Sequence, residues 1–121
     1  MKLFSVRGAI QCEEDSSTEI KTAVTQLMTE LLNQNSIAEE NIVHILFSQT
    51  EDLVSENPAT ALRSMGFNQT PLFCSQEPTV IQSMPRVIRV LVTFYGQPDN
   101  KVTPIYLGGA AELRKDLISH S

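Results

Sequence analysis

The sequence has few of the residues from which metal centres, disulfide scaffolds and membrane spans are built. It contains two cysteines, Cys12 and Cys74, and two histidines, His44 and His120. There is no CxxC pair, no His-rich tract and no metal-spaced cluster. Two cysteines can pair in principle, but they do not make a disulfide framework. No apolar run approaches the ~18 residues that a membrane span needs. The opening MKLFSVRGAI carries one lysine and too short an apolar stretch for a signal peptide, so reduced thiols and a cytoplasmic location are expected. Basic residues are scarce too: 9 against 14 acidic ones, a net charge of −5. That balance argues against general nucleic-acid binding or an anionic-membrane surface, which require a basic face. A small anionic ligand stays open, because a few focused arginines can override the global sign locally.

What is present reads as a globular chain. Aliphatic and aromatic residues make up 41% and charged residues 19% of 121, enough for a real core in one domain spanning residues 1–121. Residues 2 to 10 read as a first strand. In DSSTE at 15 to 19, Ser16 and Glu19 have capping-box spacing, and Ile20, Val24, Leu27 and Leu31 recur at helical steps to about Asn33. NIVHILFS at 41 to 48 is a β-branched run expected as a buried strand. NPATALRSMG at 57 to 66 carries helix start and stop signals in Asn57, Pro58 and Gly66. A strand is expected over 70 to 75, a helical turn or two over 78 to 85 between prolines, and the longest strand in RVIRVLVTFY, closed by GQPDN. TPIYLG at 103 to 108 reads as a last strand. A short helix or flexible tail follows, the tail from about 112 to 121. This alternation predicts an α+β or α/β domain with one mixed sheet.

Three of the five arginines stand in unusual surroundings. Strand alternation groups Arg7 with Leu3, Ser5 and Ala9, and Arg89 with Val87, Leu91 and Thr93, opposite apolar faces on both strands. Arg63 lies on the 57–66 helix. Taken singly, each has an ordinary reading: it pairs with an acid at the sheet edge, or snorkels to water. FCSQEPT adds Cys74 and Glu77, the latter biased toward an extended conformation by Pro78. A carboxylate fixed between apolar strands suits the wall of a polar pocket; taken alone, Glu77 reads first as a solvated loop residue. His44 reads as a satisfied core or edge histidine, Cys12 as a small hydrophobe, and the acids at 13 to 15 as a solvated helix approach.

Six segments, in order and over nearly the whole chain, resemble the AroH-type chorismate mutases. They are VRGAI, SQTEDL, the PAxAxR pattern in NPATALR, CSQE, IRVLV and IYLGGAAELRKD. The resemblance implies a mixed β-sheet with helices packed on it and a pseudo-α/β-barrel homotrimer with active sites between subunits. It also implies conversion of chorismate to prephenate, in phenylalanine and tyrosine biosynthesis, without a cofactor. On the same ground Arg89 faces the ether oxygen of the substrate, and Arg7 binds a substrate carboxylate with help from Tyr106. Glu77 accepts the ring hydroxyl and pairs with Arg89, and Cys74 contacts the same hydroxyl by thiol or backbone. Phe73, Ser75 and Gln76 complete the CSQE wall, and Arg63 and Arg114 lie near the entrance. Asn57 stands where the family commonly has an aromatic residue, Thr60 where it has a lysine, and Phe73 where it has a small polar one.

The chemistry agrees with that assignment. A rearrangement within one molecule needs no nucleophile–base pair; it needs a held conformer and fixed charge at the oxygen that becomes negative. A competing reading is a trimeric binding or sensor domain for a small dicarboxylate without turnover, motivated by Asn57 and Thr60. A purely structural interaction protein fits three arginines on apolar elements least.

Overall fold

The computed structural model describes residues 1–113. Five strands form one sheet: β1 (Lys2–Gln11), β2 (Ile42–Gln49), β3 (Leu72–Gln76), β4 (Val87–Gly96) and β5 (Ile105–Leu107). Two helices, α1 (Ser17–Gln34) and α2 (Pro58–Arg63), lie between β1 and β2 and between β2 and β3. The spatial order is β3-β2-β4-β1-β5. β4 runs antiparallel to both neighbours, while β2–β3 and β1–β5 are parallel pairs, so the sheet is mixed as expected.

Local chemistry sets each helix start. Ser16 has extended backbone, and its hydroxyl accepts the Glu19 N–H at 3.1 Å, the first half of the expected capping box. The Asn57 side-chain oxygen accepts the N–H of Ala59 at 2.8 Å and of Thr60 at 3.4 Å, with Pro58 filling the first helical position. From α1, Ile20, Val24, Leu27 and Leu31 are fully buried against Val6, Ile10, Val92 and Phe94 of the central strands. Gly8 sits where this packing is tightest. A Cβ there would lie 3.0 Å from both the Ile105 carbonyl oxygen and a Leu31 methyl. The close approach that this glycine permits therefore serves the helix and β5.

Both helices cover the same side of the sheet; on the other side the 3-10 turn over Gly108–Glu112 and Met84 bury only the end that carries Ala9 and Val87, and among the described residues the rest of that face is open. Midway along β1 and β4 burial alternates accordingly, with Val6 and Val92 inside and Arg7 and Leu91 outside, while Ala9 and Val87 are buried beneath the 3-10 turn. A register shift between Ile42 and His44 turns the start of β2: Ile42 opposes core-facing Phe94, whereas His44 opposes Thr93. His44 is thus a half-buried residue of the open face, not a core one.

The expected helical turn over 78–85 does not form. The segment is a loop with tight turns. Gln82 and the following Arg86 take positive φ values of 66° and 55°, outside the right-handed helical region. Val80 and Ile81 are 61% and 91% exposed, so no apolar face is buried to hold a helix there. Elsewhere the differences are of a residue or two, as at α1, which runs to Gln34. The expected short C-terminal helix is represented by a 3-10 turn over Gly108–Glu112. Most of the expected tail lies outside the described residues.

Candidate active site

The pairing register places chemistry-bearing residues in two adjacent rows across the open face. In the first, Ser75, Ser48, Arg89, Ala9 and Tyr106 are successive partners on β3, β2, β4, β1 and β5. In the second, Phe73, Leu46, Leu91 and Arg7 follow each other across four strands. Arg7 and Arg89 are therefore diagonal neighbours on adjoining strands, a spacing of about 7–8 Å between backbones. Both guanidinium groups rise from the same surface, and an anion can bridge them. Arg7, Leu46, Ser48, Arg89 and Tyr106 line a concavity of about 350 Å³ on this face. A second hollow shares Ser48, Ser75 and Arg89 with it and adds Glu77, Pro78 and Val80.

Glu77 stands just past β3, where its N–H donates to the Gln49 carbonyl at 2.9 Å and prolongs the ladder by one bond. Its carboxylate is fixed twice. Oε1 accepts the Ser48 hydroxyl at 2.9 Å and pairs with Arg89 Nε at 2.5 Å. The carboxylate side chain is 17% exposed against 42% for Arg89, so the acid is held below the cation. Glu77 thus matches the charge of a guanidinium set in an apolar strand, and the close contact is made by Arg89 Nε. Other sites expected from the sequence lie apart. The Cys74 side chain packs against the helix-side core, and burial pushes its thiol pKa up, so from β3 only its backbone borders the open face. Arg63 ends α2, exposed, on the helix side. Arg114 lies outside the described residues.

The family model for chorismate mutase type I matches residues 3–117. The chain belongs to the type I chorismate mutases. It is 40% identical over 116 residues to chorismate mutase AroH of Thermus thermophilus, covering 94% of this chain and 95% of that one. It is 33% identical over 119 residues to chorismate mutase AroH of Bacillus subtilis strain 168, covering 97% and 94%. Among solved structures it is similar to the chorismate mutase from Clostridium thermocellum, with a TM-score of 0.86 at 33% identity, covering 90% of this chain and 98% of that one.

Within this type I chorismate mutase, the fold brings Arg7, Ser75, Glu77, Arg89 and Tyr106 to one face, with Phe73 beside them, 64% exposed, and Gln76 at the lip of the second hollow. Ser48, which holds Glu77, was not legible beforehand. Alternation along β2 places it on a face with Leu46, but no local pattern says that β2 pairs with β4 or that Ser48 meets Arg89. Membership of an enzyme family leaves the non-catalytic reading without an observation in its favour.

Proposed function

We propose that this type I chorismate mutase converts chorismate to prephenate by a Claisen rearrangement on the open sheet face. One C–O bond breaks and one C–C bond forms within a single molecule, so no side chain has to attack or carry a proton through the step. The protein contributes a binding geometry that selects the compact conformer and a positive charge at the ether oxygen as it becomes negative. Arg89 supplies that charge through its terminal amino groups while Nε stays on Glu77. Arg7 holds a substrate carboxylate, with the Tyr106 phenol beside it. The second oxygen of Glu77 accepts the ring hydroxyl.

The observation that carries this reading is the Ser48–Glu77–Arg89 contact set, with Arg7 on the diagonal. It builds a local cationic site in a chain of net charge −5. The enzyme acts as a cytoplasmic homotrimer with sites at the subunit boundaries. Support comes from the exposed Leu3, Leu46, Phe73, Leu91 and Tyr95 on the same face as the site, since such an apolar surface calls for a protein partner. A neighbouring subunit can then bring Arg63 and Arg114 of its own to the concavity. Asn57 and Thr60 provide no aromatic ring or cation there, so the entrance is expected to bind substrate less tightly than one with both.

The test follows loss of chorismate's ultraviolet absorbance in the presence of purified protein. No loss above the spontaneous rate sinks the proposal. Arg89→Ala is expected to lower kcat by ~10²–10³, the scale of removing one oxyanion donor. A folded variant of the same oligomeric state with nearly full activity refutes the role of Arg89.

A further inference from the structure

The end of β2 and the residues after it grip the loop between Glu77 and Arg86 at both its ends. Gln49 accepts the Glu77 N–H. Glu51 Oε2 accepts the Thr79 hydroxyl at 2.9 Å. Asp52 accepts the Arg86 N–H with both carboxylate oxygens, at 3.1 Å each, and the Thr50 hydroxyl at 2.6 Å. Thr50 in turn receives the Val87 N–H on Oγ1 and donates its own N–H to the Val87 carbonyl, both at 3.0 Å. At the centre of these bonds Arg86 has φ 55°, a conformation that crowds any residue with a Cβ. It does not arise from local preference, so something has to hold it, and the Asp52 carboxylate grips its amide. On the other flank the Arg86 carbonyl accepts Cys12 N–H at 2.8 Å, and its Nε donates to the Cys12 carbonyl at 3.0 Å.

We propose that Asp52 is a positioning residue for the Glu77–Arg89 pair: by anchoring the Arg86 amide it fixes where β4 enters the sheet, and so where Arg89 stands against Glu77. The loop that Asp52 closes begins at Glu77 and ends three residues before Arg89. A shift at Arg86 therefore moves one member of the pair relative to the other. The core helix α1 packs on the opposite face and does not take part, so the effect falls on alignment more than on folding. This inference rests on the reading of that pair as catalytic machinery.

A kinetic double-mutant cycle on the full chain tests it. Asp52→Ala is expected to lower kcat by about 10- to 100-fold, the scale of a misplacement on the order of 1 Å, with a smaller change in KM. In a Glu77→Gln background, where the ion pair is already broken, the same change should cost less than about threefold, because coupled residues are not additive. Arg86→Gly, which accepts positive φ without crowding, should restore part of the loss when added to Asp52→Ala. Independently of activity, amide hydrogen exchange at Arg86 and Val87 should quicken in Asp52→Ala while α1 stays protected. Equal costs in both backgrounds, unchanged exchange at the two amides, or full activity in Asp52→Ala each overturn the proposal. Should Asp52→Ala fail to fold, Asp52→Asn, which keeps one carbonyl acceptor, carries the same cycle. If the wild-type protein leaves chorismate untouched, the functional reading fails, and the exchange measurement still decides whether Asp52 anchors Arg86.

Discussion

Under the proposed mechanism Arg89 has two tasks: its Nε pairs with Glu77, and its terminal amino groups meet the ligand. Lysine carries all its donors on one nitrogen and lacks the planar fork that presents Nε and the terminal amino groups in separate directions. Arg89→Lys is therefore expected to lose kcat/KM on the order of the ~10²-fold given for one lost donor, measured in the same absorbance assay. At the other cysteine, burial pushes the Cys12 thiol up to about 11, with repulsion from Glu19 adding to it. The sign of the stability effect follows from proton counting. Between the ordinary 9.0 and about 11 the unfolded chain releases this proton and the folded chain keeps it, so stability falls as pH rises through that window. The loss is up to about 1.4 kcal/mol per pH unit, and Cys12→Ser or →Ala flattens that part of a denaturation-versus-pH curve. Below pH 9 the thiol should resist alkylation in the native state.

At the scale of elements, helix ends and strand alternation were the most readable features. The Ser16 cap, the apolar stripe of α1 and the Asn57–Pro58 start of α2 follow from local hydrogen bonding and the 3.6-residue period, and each is present. Asn57→Ala should cost about 1 kcal/mol by chemical denaturation, the usual value of a lost N-cap. It is expected to act mainly through stability, since the side chain is occupied with the Ala59 and Thr60 amides. Gly8→Ala is a packing test: the new methyl meets the Ile105 backbone, which cannot swing away, so a destabilisation of about 1–3 kcal/mol is expected. The loop over 78–85 was misread for a physical reason. Pro78 and Pro85 frame it like a short helix, but its course is dictated by Glu51, Asp52 and Cys12, residues distant in sequence.

At the scale of the molecule, helices cover one side of the sheet and an apolar, arginine-bearing surface forms the other. Under the homotrimer proposal, light scattering should give three times the 13.4 kDa chain mass. Leu91→Glu, at a position 38% exposed on the open face, should yield smaller species, because burying an unpaired carboxylate at an interface is strongly unfavourable. Activity should fall together with the trimer fraction. A monomeric wild-type protein with full activity would refute the subunit-boundary site.

By itself the sequence determined the helices, the strand segments and the side of β1 and β4 on which Arg7 and Arg89 stand, because periodicity and capping act over a few residues. Its ordered motifs also determined the family. Only the tertiary structure decided that β4 lies between β1 and β2, which sets Ser48 opposite Arg89, seats the expected partner Glu77 on Nε and puts Arg7 on the diagonal. It also turned the Cys74 thiol toward the helix side and gave Asp52 its hold on Arg86. Those are contacts between residues 12 to 82 positions apart in the chain. No local period encodes them; they exist once strand order and register are set by burying one face of the sheet beneath α1 and α2.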